Sequence, residues 1–400
     1  MRDVSFRVTA GLLAAVAFLA LGCGQGAKDG AAVSSDQDAL KGKGGGGPKL
    51  TPQNSGTTNS LIAISAANAR VAWASGRAGT FTRTTDGGKT WHAGVVPGAE
   101  TLQFRDVQAV SEKVAYLLSI PGASPSRIYK TVDGGQTWTL QFEAANLDFF
   151  YDCFAFWDAK SAVVLGDSIA GRLPVLRTLD GSTWQDIGDN LPTPLTLEAG
   201  FASGGTCAAT QGHRRAWLTT GAPPQTTGGS GTTRVYFTKD RGQTWGVTTA
   251  PIFAGVDGAG GGFSIAFRSA RHGILAGGDL AAPTGVVVDN FARSSDGGRT
   301  WERATPAPIP GAIFTAAYAG HGRGHEDDDD QGEDDDGHGH GNSGSIRVVA
   351  TAPTGTAWSP DEGRSWKLLE GLTNFWAVDF GSEQTGWLVG VGGIITRIDF

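Results

Sequence analysis

The chain has 400 residues, of which 62 are glycine, 12 tryptophan and one methionine, and 18% are charged. So much glycine with so few charges suits many short strands and tight turns, and excludes a long-helix bundle or a coiled coil. The formal charge of −7 provides no basic surface for a nucleic-acid partner.

The chain opens MRDVSFRVTAGLLAAVAFLALGCGQG. Arg2 and Arg7 form a basic region ahead of an apolar run from Val8 to Leu21, the pattern of a secretory signal peptide. At about 14 residues the run is short of the ~20 that a helix needs to cross a bilayer, so a permanent transmembrane helix is not expected. The ending Ala20-Leu21-Gly22-Cys23 resembles the lipobox of bacterial lipoproteins. That resemblance implies a signal peptide over 1–22 and lipidation of Cys23, anchoring the mature chain in the membrane. Gly24, where an Asp would retain it at the inner membrane, favours the outer membrane or cell surface of a bacterial envelope. Residues 23–47 are polar and glycine-rich and read as a flexible tether.

Residues 48–400 exceed the usual size of a single core, which points to repeated units. Six copies of one motif run through them: RTTDGGKTW ending at Trp91, KTVDGGQTW at Trp138, RTLDGSTW at Trp184, FTKDRGQTW at Trp245, RSSDGGRTW at Trp301 and WSPDEGRSW at Trp366. Their spacings of 47, 46, 61, 56 and 65 residues suit four-stranded propeller blades with insertions. Short β-rich runs precede each copy, as in LIAISA, RVAWASG and GTFTRTTD ahead of TWHAGV. The last repeat, FWAVDF, GWLVGV and GIITRIDF, stops after three strands, and PKLTPQ at 48–53 is placed to supply the fourth. The expected fold is all-β: a seven-bladed β-propeller of four-stranded antiparallel blades, its ring closed by an N-terminal strand so that no sheet edge stays open.

Within the motif, Asp86, Asp133, Asp180, Asp240, Asp296 and Asp361 are expected to accept hydrogen bonds from their own hairpin turns, while the glycines take positive φ. The motif is structural, because it sits at the blade periphery rather than on the axis. These residues match the Asp-box (BNR) signature of sialidases, sortilin-type receptors and the photosystem II assembly and stability factor family. The chain resembles bacterial relatives of the last most broadly: FRDVQAV, FYDCFAFWDAKSAVVLGDS, LEAGFASGGT, GGGFSIAF, ILAGGD and GWLVGVGGIITR look like their inner-strand segments. The resemblance implies a non-enzymatic binding or assembly scaffold.

A sialidase is not supported. Its N-terminal R-I-P segment is missing, and of five tyrosines only Tyr151, beside Asp152, is placed as a nucleophile, without an arginine triad. No glycine-rich phosphate loop opens a helix, so no nicotinamide site is expected, and no catalytic residue is assigned. The alternative is an exported glycan-acting hydrolase, which would need two facing carboxylates near the axis.

The face on which innermost strands begin is the default ligand mouth. Arg105, Asp106, Asp152, Asp167, Glu198 and Asp279 are expected on it, either binding a ligand or capping turns. The Pro- and Gly-rich loop at 222–233 covers the same face. Cys153 and Cys207, both in apolar stretches, either pair in an oxidising compartment or remain buried thiols.

Between IFTAAYAG and SIRVVATAP lies an acidic, histidine-rich insert, 321–344, disordered by composition. Without its nine carboxylates and Arg323 the formal charge moves from −7 to about +1, so the propeller is nearly neutral. His321, His325, His338 and His340 with the flanking carboxylates either hold divalent metals weakly or simply solvate the loop; no other cofactor is expected. The insert joins the first and second strands of blade six, on the Asp-box face. The chain is read as a monomer that meets a protein partner or a surface glycan.

Overall fold

The structure, a computed structural model, describes residues 47–319 and 346–400. The signal sequence, Cys23, the tether up to residue 46 and the insert histidines His321, His325, His338 and His340 lie outside the described residues.

The described strands form seven four-stranded antiparallel sheets. Six follow simple chain order from the innermost strand outward; these innermost strands are Leu61–Ala66, Phe104–Ala109, Tyr151–Phe156, Ala208–Gln211, Gly260–Phe267 and Thr315–Ala319. The seventh begins at Phe375–Phe380 and takes its outermost strand from the other end of the chain. There Lys49–Gln53 runs antiparallel to Ile395–Asp399, with Lys49 opposite Asp399 and Gln53 opposite Ile395. This is the expected ring closure: the strand masks an edge that would otherwise offer unpaired backbone to another chain.

Burial follows from this stacking. A blade touches a neighbour on each face, so its inner strands are covered on both sides and read as near-continuous apolar runs rather than alternating ones. LIAISA at Leu61–Ala66 and AVVLG at Ala162–Gly166 are buried throughout. The apolar residues gather into seven clusters, one between each pair of adjacent blades. Trp73 of blade one meets Leu117 of blade two, and Trp387 of blade seven meets Trp91 of blade one. Outermost strands are short and exposed, as in Gln185–Asp186, Glu302–Arg303 and Lys367–Leu368, which makes them poor templates for aggregation. Each motif tryptophan stands one residue ahead of such a strand.

One segment differs from its expected placement as an inner strand. ILAGGD and GWLVGV lie in inner strands as expected, the second strands Gly273–Asp279 and Thr385–Gly390. LEAGFASGGT is no strand: the innermost strand of blade four starts only at Ala208. Leu197 at φ 58° and Gly205 at φ 75° break the extended backbone there, since left-handed residues cannot continue a ladder.

Candidate functional site

The repeated aspartates build turns, not a site. Asp86 Oδ1 accepts from Thr84 Oγ1 at 2.9 Å and from the Thr90 amide at 3.0 Å, while Oδ2 accepts from Thr90 Oγ1 at 2.6 Å. Thr84 Oγ1 in turn accepts from the Gly88 amide at 2.8 Å. The same bonds recur around Asp133, Asp240, Asp296 and Asp361. The Asp180 turn is one residue shorter and uses the Ser182 and Thr183 amides. Thr90 and Thr137, by side chain and backbone, hold the Asp86 and Asp133 carboxyls down at about 2.

The opposite end of the ring is different. In five blades the pairing of first and second strands skips one residue at the same place: Ile62, Arg105, Asp152, Phe263 and Trp376. A bulge re-aims a side chain that strict alternation would direct at a neighbouring blade. Here it sends several of them to the axial mouth. Phe263 stacks on Phe201 with centroids 3.9 Å apart and on Phe314 at 6.1 Å; Phe314 meets Trp376 edge-on at 5.1 Å. The Arg105 guanidinium lies 5.3 Å over the Trp376 ring. Blades two and seven are not neighbours, so this contact crosses the axis.

The segment 200–205 closes the mouth. Arg105 Nη1 donates to the Ala202 carbonyl at 3.2 Å, and the Gly200 amide donates to Asp167 Oδ1 at 3.0 Å. A Cβ on Gly200 would come within 2.6 Å of Asp152 Oδ2, on Gly204 within 2.2 Å of Thr315 Oγ1, and on Gly205 within 2.4 Å of Asp106 Oδ1. Glycine is what lets backbone pass so close to three other blades. Cys153 is bonded to Cys207 with Cα atoms 5.9 Å apart, which pins the far end of this segment beside Asp152. Its near end is tied by Glu198, fully buried, which accepts from Arg234 at 2.7 Å, Thr220 Oγ1 at 2.6 Å and the Leu195 amide at 2.7 Å.

The six mouth residues expected from sequence thus divide. Arg105, Asp152 and Asp167 come together at the mouth. Asp106 accepts from the Val107 and Phe154 amides, joining blades two and three; Asp279 caps the Ala281 amide; Glu198 belongs to its ion pair. Asp152 and Asp167 are neighbouring buried carboxyls that shift each other's titration. Burial, then the charge of Asp167, pushes the Asp152 pKa far up, and burial pushes Asp167 up to about 7. Burial, then the like charge of Arg77, pulls Arg105 down to about 10, with Asp152 acting the other way.

Phe201, Ser203, Phe263, Phe314 and Trp376 were not expected at the site. Superposing the inner strands FRDVQA, YDCFAF and FWAVDF by their second residue would have revealed Trp376 beside Arg105 and Asp152. No such signal marks Phe201, which lies outside the repeat. Among the described residues no group of three or more histidine, cysteine or acidic side chains is arranged to hold a metal.

A model of the BNR/Asp-box repeat matches residues 82–93. No curated protein matches the chain in sequence at a significant level. Among solved structures, YCF48 bound to D1 peptide is 16% identical over 92% of this chain and 100% of that one, with a TM-score of 0.54. YCF48 from Cyanidioschyzon merolae is 14% identical over 88% and 99%, TM-score 0.54. A GH74 xyloglucanase from Xanthomonas campestris is 14% identical over 87% of this chain and 53% of that one, TM-score 0.54. At such identities the likeness is one of fold. The chain is a seven-bladed β-propeller that carries the BNR/Asp-box repeat and is similar in fold to YCF48.

Proposed function

We propose that the protein is an exported, lipid-anchored monomeric scaffold that captures a protein partner at the axial mouth, and that it performs no reaction there. The observation that carries this reading is the bulge repeated across blades, which brings an aromatic row and a buried arginine to one end of the ring. Aromatic and arginine side chains of this kind are the usual anchors of protein interfaces. The lipobox-like Cys23 and the buried disulfide fit an oxidising envelope compartment, and YCF48, similar in fold, has been solved with a peptide.

The test is capture by the full chain from cross-linked envelope membranes, comparing wild type with Trp376→Ala, Arg105→Ala and, on the opposite face, Asp296→Ala. A partner lost with both mouth variants and kept by Asp296→Ala is expected, together with release of Cys23→Ser from the membrane fraction. A partner indifferent to the mouth variants would refute the docking site. Release of reducing sugar from xyloglucan or envelope glycans, abolished by Asp152→Asn, would replace the scaffold by the hydrolase.

A further inference from the structure

Resting on the mouth as the docking site, a narrower property concerns what it recognises. The Arg105 guanidinium is buried and meets only neutral acceptors: Ala202 O at 3.2 Å and Gln103 Oε1 at 3.0 Å. Its Nε has no hydrogen-bond partner among the described residues. Asp152 is near enough to favour its charge but makes no hydrogen bond with it. Two further buried donors, Ser203 Oγ and Trp376 Nε1, also lack partners among the described residues. The residues are neighbours: the Trp376 ring lies against the guanidinium, and Ser203 follows Ala202, whose carbonyl Arg105 holds.

Buried donors are rarely left unpaired, and a desolvated cation calls for an anion more than for a carbonyl. The unpartnered Oδ2 of Asp152 does not compete for them. It lies beside Gly200, whose amide bonds Asp167, and so belongs to the carboxyl pair. Arg77, which is exposed, lies close enough to repel Arg105.

We propose that the mouth contains a carboxylate-binding subsite, in which a ligand carboxylate replaces the Ala202 carbonyl at Arg105 and accepts from Ser203 and Trp376. The displaced carbonyl belongs to a partly exposed turn, Phe201 and Ala202, so the ligand enters from solvent. Phe201 and Phe314 flank its apolar remainder. The carboxylate is carried either by a free small acid or by a peptide.

The experiment follows the indole N–H resonance of Trp376, assigned through Trp376→Phe, as the full chain is titrated with sodium acetate, a short N-acetylated peptide acid and the C-terminal amide of that peptide. The acids are expected to shift it saturably and the amide to leave it in place. Arg105→Gln should weaken acid binding by about tenfold or more, and Ser203→Ala by several-fold, with melting curves showing both variants folded. A peptide acid binding well above acetate identifies a peptide-borne carboxylate; acetate binding equally well identifies a free acid. The subsite is overturned if no acid gives a saturable shift, if the amide binds as the acid does, or if folded Arg105→Gln and Ser203→Ala both bind unchanged. In that event a partner still lost with Trp376→Ala would leave the docking site standing without a carboxylate subsite.

Discussion

Asp152, on the innermost strand of blade three, and Asp167, one residue past the second, are neighbouring buried carboxyls beside the segment that closes the mouth. Both pKa values are raised, so above about pH 4 the native state holds a proton that the unfolded chain has released. Stability from the pair is therefore complete below about pH 4 and is lost as pH rises towards about 7. Thermal melts are expected to fall between pH 5 and 8, and to fall less in Asp167→Asn. An unchanged slope in that variant would show that the pair is not the titrating group. Asp86 and Asp133 act in another window: with carboxyls depressed to about 2, their contribution is present above about pH 4 and lost only as pH falls through about 2.

The glycine two residues after the Asp, present in five of the six motifs, does more than turn the chain. Gly135 sits at φ 85° and a Cβ there would lie 2.7 Å from the Phe81 ring of the preceding blade, whereas Gly98, at φ 77°, has nothing within 4 Å. Gly98→Ala should cost about 1 kcal/mol, from backbone strain alone. Gly135→Ala adds a collision between blades and should cost about 2–4 kcal/mol in denaturant unfolding. Equal losses would show that the motif turns do not bind one blade to the next.

The disulfide closes a loop between residues 54 apart in sequence. Chain-entropy reasoning assigns it about 4 kcal/mol, and the Cys153→Ala/Cys207→Ala double variant should unfold at correspondingly lower denaturant. Since both sulfurs are fully buried, dithiothreitol should leave the native protein unreduced until denaturant opens it. Ready reduction of the folded chain would contradict the packing of blades three and four.

Ring closure depends on a strand far away in sequence. Removing residues up to Gln53 would strip Ile395–Asp399 of its partner and deprive Trp91 Nε1 of Gln53 Oε1, 2.9 Å away. The truncated protein is expected to melt lower and to elute as aggregates in size-exclusion chromatography. A monomer of unchanged stability would mean that blade seven stands on three strands.

The repeat was legible because it is local. An Asp, its flanking Thr or Ser and one or two glycines complete their hydrogen bonds within one hairpin, so six copies in the sequence announce six turns, and their spacing announces the blades. The unfinished last repeat and the PKLTPQ run disclosed the closure for the same reason: a strand short at one end must be matched at the other.

The mouth was only half legible. Arg105, Asp152 and Asp167 were expected because they are polar residues at the ends of inner strands. Asp106, in the same FRD run, binds backbone amides because the bulge at Arg105 reverses which side each residue presents. No reading of composition distinguishes two adjacent polar residues in that way.

The sequence by itself determined the architecture: blade number, hairpin chemistry and closing strand all follow from short-range hydrogen bonding and burial repeated at a fixed period. Only the tertiary structure decided the site. Contacts such as Arg105 with Trp376, or Phe201 with Phe263, join residues far apart in the chain that meet when the ring closes, and the bulges that aim them appear only once each strand has found its register with the next.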